Sequence, residues 1–236
     1  MSRWKAFAIH LAISAFVALV FLLVCRFYWF DGPLFAVMGG LGLLSILIPV
    51  DVILGPVLTL LVFKAGKPKL KLDLSLIAFI QLAALIYGAV IMVQARPLYV
   101  VLYHEELRVV RPMDLAKMPW MDSVLSPTRF VRVSGDIGAL ADIEEQMAEL
   151  TGGVPPHLKP ENYQPIEAHK EELRASLTTS LPTVLKGFQR RLDNLLERLP
   201  SSPKGYGAIP IKARGGMHVA VFERESLELV TILSAI

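Results

Sequence analysis

The stretch that most constrains this chain is the turn Lys64-Ala65-Gly66-Lys67-Pro68-Lys69-Leu70-Lys71-Leu72-Asp73, which carries four lysines between two apolar runs, 51–63 and 74–93, that contain no basic residue. Short loops this rich in lysine stay on the cytoplasmic side of a membrane, so the turn sets the direction of both flanking helices. A third apolar run, 6–25, follows the basic leader Ser2-Arg3-Trp4-Lys5. The runs 6–25 and 74–93 reach the roughly 20 residues a helix needs to cross a bilayer, the run ending at 63 reaches it by extending back to about 43, and the spans are expected at about 6–25, 43–63 and 74–93. With Arg3, Lys5 and the lysine turn inside, the N-terminus is cytoplasmic and everything after 97 emerges on the far side. The expected division is a membrane domain over 1–97 and an exported domain over 98–236.

Composition agrees with that division. The chain is 54% hydrophobic with a mean hydropathy of +0.52, and most of the excess precedes Arg96. The net charge of +3 is modest and the basic residues gather at membrane ends, which argues against a nucleic-acid partner. Cys25 is the single cysteine, so no intrachain disulfide can form. A cleaved signal peptide would need a small-residue site that does not follow the first run. Lipidation of Cys25 is disfavoured by Val24, where a small residue is required.

Arg26-Phe27-Tyr28-Trp29-Phe30-Asp31-Gly32-Pro33 has the aromatic composition of a membrane surface. Gly39, Gly40 and Gly42 mark an interfacial approach to the second span. Within that span lies Pro49-Val50-Asp51-Val52-Ile53-Leu54-Gly55-Pro56. Asp51 sits about 20 Å of helix from Lys64, too deep for its short side chain to reach cytoplasmic water. A carboxylate there costs on the order of 2.5–3.5 kcal/mol on insertion scales. Two roles stand side by side: a polar contact with a partner's helix or a proton relay, and a staple that bonds to Gln81 or Tyr87 on the third span.

The exported part is expected to be α+β. Strand-favouring residues occupy 98–103 and 107–110, residues 112–127 read as irregular, and Arg129-Phe130-Val131-Arg132-Val133 alternates as a strand does. A short helix is expected over 142–150, a proline-rich loop over 151–165, and helix over 167–199 with a break at Pro182. Leu173, Leu177 and Leu181, and then Leu185, Phe188, Leu192, Leu195 and Leu199, define apolar faces. An antiparallel meander over 205–212, 217–222 and 227–233 closes the chain.

Catalytic signatures are missing from the sequence. It contains no HExxH, Gly-x-Ser-x-Gly, Walker-type or GxGxxG motif and no paired Cys/His set, so no cofactor or metal is implied. A binding or assembly role is therefore expected rather than an enzyme. A small proton-coupled transporter component using Asp51 and a membrane-anchored periplasmic enzyme are the alternatives. The candidate partner-binding residues are Asp51 in the spans and Lys170, Arg174, Arg190 and Arg191 on the polar side of 167–199, beside the proline-rich loop 155–165.

Ser2 to Phe7 with His10-Leu11, Val50 to Lys64, Gly66-Lys67-Pro68 and Leu72 to Ser75 with Gln81-Leu82 together resemble the TfpX/TfpZ family of type IV pilin accessory proteins. The likeness continues to Tyr206–Arg214, although Glu223-Arg224-Glu225-Ser226-Leu227 stands where the family carries an Asp-x-x-Thr-Gly turn. The resemblance implies an inner-membrane protein of a Gram-negative bacterium that serves one pilin as a dedicated chaperone, with no catalytic residues.

Overall fold

A computed structural model of the chain describes residues 2–30, 32–134, 139–182 and 185–234. Asp31, placed by sequence in the aromatic turn, and Ile236 at the C-terminus lie outside the described residues.

Three apolar helical segments long enough to cross a membrane come first, at Arg3–Trp29, Gly40–Val62 and Leu70–Ala95. Each is longer than the run expected from sequence. The first is α1 (Arg3–Val24) extended by a wide π turn over Cys25–Trp29, in which Phe30 N–H reaches back to the Cys25 carbonyl at 3.0 Å. The second follows a short helix α2 (Leu34–Val37) and comprises α3 (Gly40–Pro49), a second π turn over Val50–Leu54, and α4 (Gly55–Val62). The third is α5 (Leu70–Ala95). Gly39 makes the bend between α2 and α3 with φ +74°, a conformation that glycine adopts without a side-chain penalty. A Cβ there would also lie 3.1 Å from Nη1 of Arg214, which donates to the Met38 carbonyl.

The rest of the chain is built on one seven-stranded mixed sheet, in the order β4-β3-β1-β2-β5-β6-β7. The strands are β1 (Tyr99–Tyr103), β2 (Glu106–Val110), β3 (Arg129–Val133), β4 (Tyr163–Pro165), β5 (Tyr206–Ala213), β6 (Gly216–Glu223) and β7 (Leu229–Leu233). The closing meander pairs antiparallel as its alternation predicts, from Tyr206 opposite Glu223 to Ala213 opposite Gly216. Two pairings are parallel, β1 with β3 and β2 with β5, and they join the N-terminal strands and the meander into a single sheet. Every residue of β1 is buried, as befits a central strand. Val100 and Leu102 face one cluster with Ile209, Ile211, Ala220 and Phe222, while Tyr99, Val101 and Tyr103 face another with Val131 and Val133. The fold of this part is α+β.

Among the described residues four α-helices accompany the sheet: α6 (Trp120–Leu125), α7 (Ala139–Thr151), α8 (Lys170–Ser176) and α9 (Lys186–Leu196). Three sequence expectations need correction here. Residues 112–127 are not wholly irregular, because α6 forms there, and 151–165 contains two 3-10 turns and β4. The helix expected across 167–199 with a break at Pro182 is two short helices, and the break opens earlier, at Leu177. Between them the backbone turns extended at Leu177, and Thr178 forms an antiparallel bridge with Ala208 through bonds of 2.8 and 2.7 Å. Thr178 Oγ1 also bonds both the N–H and the carbonyl of Ser180, the local competition by which hydroxyl side chains end helices. The apolar faces are nonetheless buried: Leu173, Leu177, Leu181, Leu185 and Leu192 all lie in the core.

The membrane helices and the sheet share packing. Leu34, fully buried, belongs to the cluster of Val100, Leu102 and Ile209, while Phe35 and Met38 pack with Trp29, Phe30, Met92 and Val93. What the sequence presents as an interfacial approach is therefore a wedge between the ends of the spans and the sheet.

Candidate functional site

Within the spans, polar groups meet along one seam. Ala6 and Ser14 are buried on α1 at positions four residues either side of His10, whose Nδ1 shares a 2.6 Å hydrogen bond with Thr59 Oγ1 of α4. Small and hydroxyl residues at such spacing let transmembrane helices approach closely. Asp51 occupies the π turn, eight residues before Thr59, and is only 8% exposed. In that wide turn its backbone carbonyl faces the N–H five residues on, and that residue is Pro56, which has none. Gln81 of α5 supplies the missing donor, its Nε2 reaching the Asp51 carbonyl at 3.1 Å. Gly55 makes room for it, since a Cβ there would lie 1.8 Å from the same nitrogen.

Gln81 is thus one of the two partners expected for Asp51, but it holds the main chain and not the carboxylate. Tyr87 is not a partner: it is 69% exposed on the outer surface of the bundle. Asp51 Oδ1 is buried and has no partner among the described residues. A buried acceptor left this way costs about 1–3 kcal/mol, and it marks the place in the bundle where an additional donor would be most stabilising.

The four basic candidates on the sheet domain are not brought together. Lys170 is exposed at the start of α8, beside a cleft with Arg129 and Ser226. Arg174 is spent on the fold, with Nε donating to the Arg224 carbonyl at 2.8 Å, Nη2 to the Glu225 carbonyl at 3.3 Å, and an ion pair to Glu171. Arg191 lies over the Phe188 ring and donates to the Ser234 carbonyl at 2.7 Å. Arg190 is exposed on α9. Sequence reasoning missed a different surface: on α7, Ile143 and Met147 are half-exposed and Leu150 is 83% exposed, although their spacing reads as a core face. The buried Ala148 is the signal that another side of this helix meets the protein.

α7 is tied to the sheet by a charged cluster. Arg108 of β2 pairs with Glu145 of α7 and with Glu106 at 2.6 Å, and it donates to Nδ1 of His157 at 3.0 Å. The acceptor role makes His157 neutral, and its pKa is pushed down to about 4 by burial and by the Arg108 charge. Burial opposes ionisation of Glu145, but the hydrogen bond and charge of Arg108 outweigh it and hold the carboxyl below its usual range. Glu106, Arg108 and Glu145 also line a cavity of about 880 Å³ together with Leu185 and Pro210. A histidine whose folded pKa lies below its unfolded value near 6.5 stabilises the fold above pH 6.5, and that contribution is lost as pH falls toward 4. The stability of the sheet domain against thermal or denaturant unfolding should fall over that window by up to about 3 kcal/mol, and His157→Gln should remove most of the slope. An identical pH dependence in His157→Gln would contradict the assignment. Among the described residues no group of three or more His, Cys, Asp or Glu is placed to hold a metal ion.

The membrane and sheet parts meet at α6. Its last carbonyls lack helical partners, as all helix ends do, and the spans provide them. Trp29 Nε1 donates to the Val124 carbonyl at 3.0 Å, Tyr28 Oη donates to that of Leu125, and Arg96 Nη2 donates to that of Ser126 at 2.6 Å. Arg96 is fully buried, and burial pulls its pKa down to about 10, so it remains charged at neutral pH. Thr128 Oγ1 adds a bond of 3.0 Å to the Pro97 carbonyl.

No family model matches the sequence, and no solved structure matches it. Curated relatives do. The chain is 36% identical over 114 residues to the serogroup E1 fimbrial assembly protein of Dichelobacter nodosus, which is 47% of this chain and 44% of that protein. The serogroup I protein matches at the same identity and extent. The protein of serogroups C1 and C2 is 35% identical over 114 residues, and 86% of its length is covered. The match spans less than half the length of the first two relatives. Coverage of most of a relative at this identity, together with the TfpX/TfpZ motifs in the spans, shows that the chain belongs to the family of these fimbrial assembly proteins.

Proposed function

We propose that this protein acts in pilus biogenesis as an inner-membrane accessory to one type IV pilin, as a dedicated chaperone that works by binding and not by catalysis. The observation that carries the reading is the junction at α6, where side chains from the ends of two spans cap a helix of the sheet domain. Such a junction holds the two parts in a fixed relation. A partner made of one span and a globular domain would meet an intramembrane surface and a folded surface at once. The names of the relatives support assembly of fimbriae as the process.

The test is affinity capture of the full chain from detergent-solubilised membranes. A stoichiometric pilin is the expected result, and capture without pilin would overturn the reading. Asp51→Asn keeps a hydrogen-bonding group in the seam, so if Asp51 serves only the bundle, the variant should retain both protein level and pilin. Loss of pilin at an unchanged protein level would instead make Asp51 a partner contact.

Orientation is part of the proposal and follows from the lysine turn. A reporter active only in the periplasm should work when fused after Ile236 and fail when inserted at Gly66. Activity at Gly66 would reverse the layout.

A further inference from the structure

We infer that α6 lies in the headgroup region of the bilayer, seating the sheet domain on the lipid surface around the exit of the spans. The helix has two unlike sides. Ser123 is fully buried, whereas Trp120, Met121, Val124 and Leu125 are exposed at 50%, 73%, 39% and 60%. Those four positions follow the i, i+1, i+4, i+5 pattern that groups side chains into one stripe of a helix. Four large apolar side chains on six helical residues, turned away from the protein, require a non-aqueous neighbour.

The height of the stripe identifies that neighbour. The carbonyls of Val124, Leu125 and Ser126 are held by Trp29, Tyr28 and Arg96, which stand at the ends of the first and third spans. The stripe therefore continues the lipid-facing surface of the spans, where Phe27 and Tyr28 are themselves 75% and 45% exposed. Met118, just before α6, packs on the cluster that contains Met92 and Val93 near the end of α5. Exposed Lys117 precedes the helix and exposed Arg129 follows it, the latter donating to Ser126 Oγ at 2.8 Å and lying 3.8 Å from the Asp122 carboxylate, and cationic side chains of this kind are common where a protein meets lipid headgroups. Tryptophan, methionine and leucine between such cations is the composition of a helix that rests in the interface plane.

This inference rests on the reading of the three apolar helices as membrane spans, and is independent of the pilin. It is tested with the full chain reconstituted in phospholipid nanodiscs, comparing tryptophan emission with and without Trp120→Phe. The part of the signal that Trp120→Phe removes should be blue-shifted, quenched by lipids brominated near the headgroup end of the acyl chain, and protected from aqueous iodide. A signal quenched by iodide and indifferent to brominated lipid overturns the inference. So does one that becomes protected only when a pilin is added, which would make the stripe a protein-docking surface. The Trp4 and Trp29 emission left in Trp120→Phe reports the spans separately. If it too is indifferent to brominated lipid, the spanning reading itself has failed. A second measurement avoids reliance on Trp120: a nitroxide on Met121→Cys, in a Cys25→Ser background, should report a depth of about 5–10 Å into the headgroup and acyl boundary. A label exposed to water refutes the placement.

Discussion

Trp29→Ala is expected to loosen the sheet domain from the membrane helices more than any other single truncation at the junction. The indole is 7% exposed, stands edge-on to Phe21 with ring centroids 6.0 Å apart, and donates to the Val124 carbonyl. Truncating a buried aromatic costs about 3–5 kcal/mol, and the orphaned carbonyl at the end of α6 adds about 1 kcal/mol. Trp29→Phe retains most of the bulk and should show only the smaller cost. Hydrogen exchange in detergent separates the two. Amides of residues 120–129 should exchange faster in Trp29→Ala, with a slight change in Trp29→Phe, while the β5 and β6 amides stay protected in both. Unchanged protection of 120–129 in Trp29→Ala would show that Tyr28 and Arg96 suffice to hold the junction.

That junction illustrates what a linear reading reaches and what it does not. The apolar runs and the closing meander were legible because each is a local pattern with one physical meaning: a hydrophobic stretch of spanning length, or alternation across a sheet. A break was expected at Pro182, but its opening at Leu177 was not legible. Leu173, Leu177 and Leu181 are four residues apart, and a spacing of four keeps side chains on one face of a helix and also on one face of an extended strand. Burial was therefore predictable where conformation was not, and the choice was made by the Thr178 bridge to Ala208, a contact between residues far apart in the chain. Asp51 was flagged by the cost of a carboxylate inside a membrane. Its link to Gln81 runs through the main chain because Pro56 leaves the Asp51 carbonyl short of a donor. Arg96 read as a charge at a membrane exit. Its complete burial depends on residues 112–127 folding back over the span ends, which no local pattern announces. The exposed face of α7 escaped for the opposite reason, since Ile143, Met147 and Leu150 have core spacing without a core to meet.

Pilin preference is expected to travel with residues 98–236 when they are exchanged for those of a homologue serving a different pilin. Transmembrane helices offer a partner mainly apolar surface, while folded domains differ in shape and charge, and discrimination requires such differences. The sheet domain presents Lys170, Arg190 and Arg191 and the apolar stripe of α7 on exposed surface, whereas Arg174 is held in its own packing. The packing also dictates how the exchange must be made. Leu34 lies in the core of the sheet, and Tyr28 and Trp29 bond to α6, so a graft cut at residue 97 would pair mismatched halves of a buried interface. Residues 26–42, 96 and 97 should move with 98–236, leaving 1–25 and 43–95 from the original chain. The hybrid should then assemble the pilin of the donor homologue, and the reciprocal exchange of 1–25 and 43–95 should leave preference unchanged. Should preference follow the spans instead, the unpartnered Oδ1 of Asp51 becomes the leading specificity contact, together with the likewise unpartnered Oε1 of Gln81, because both are buried acceptors that a partner's donor would satisfy.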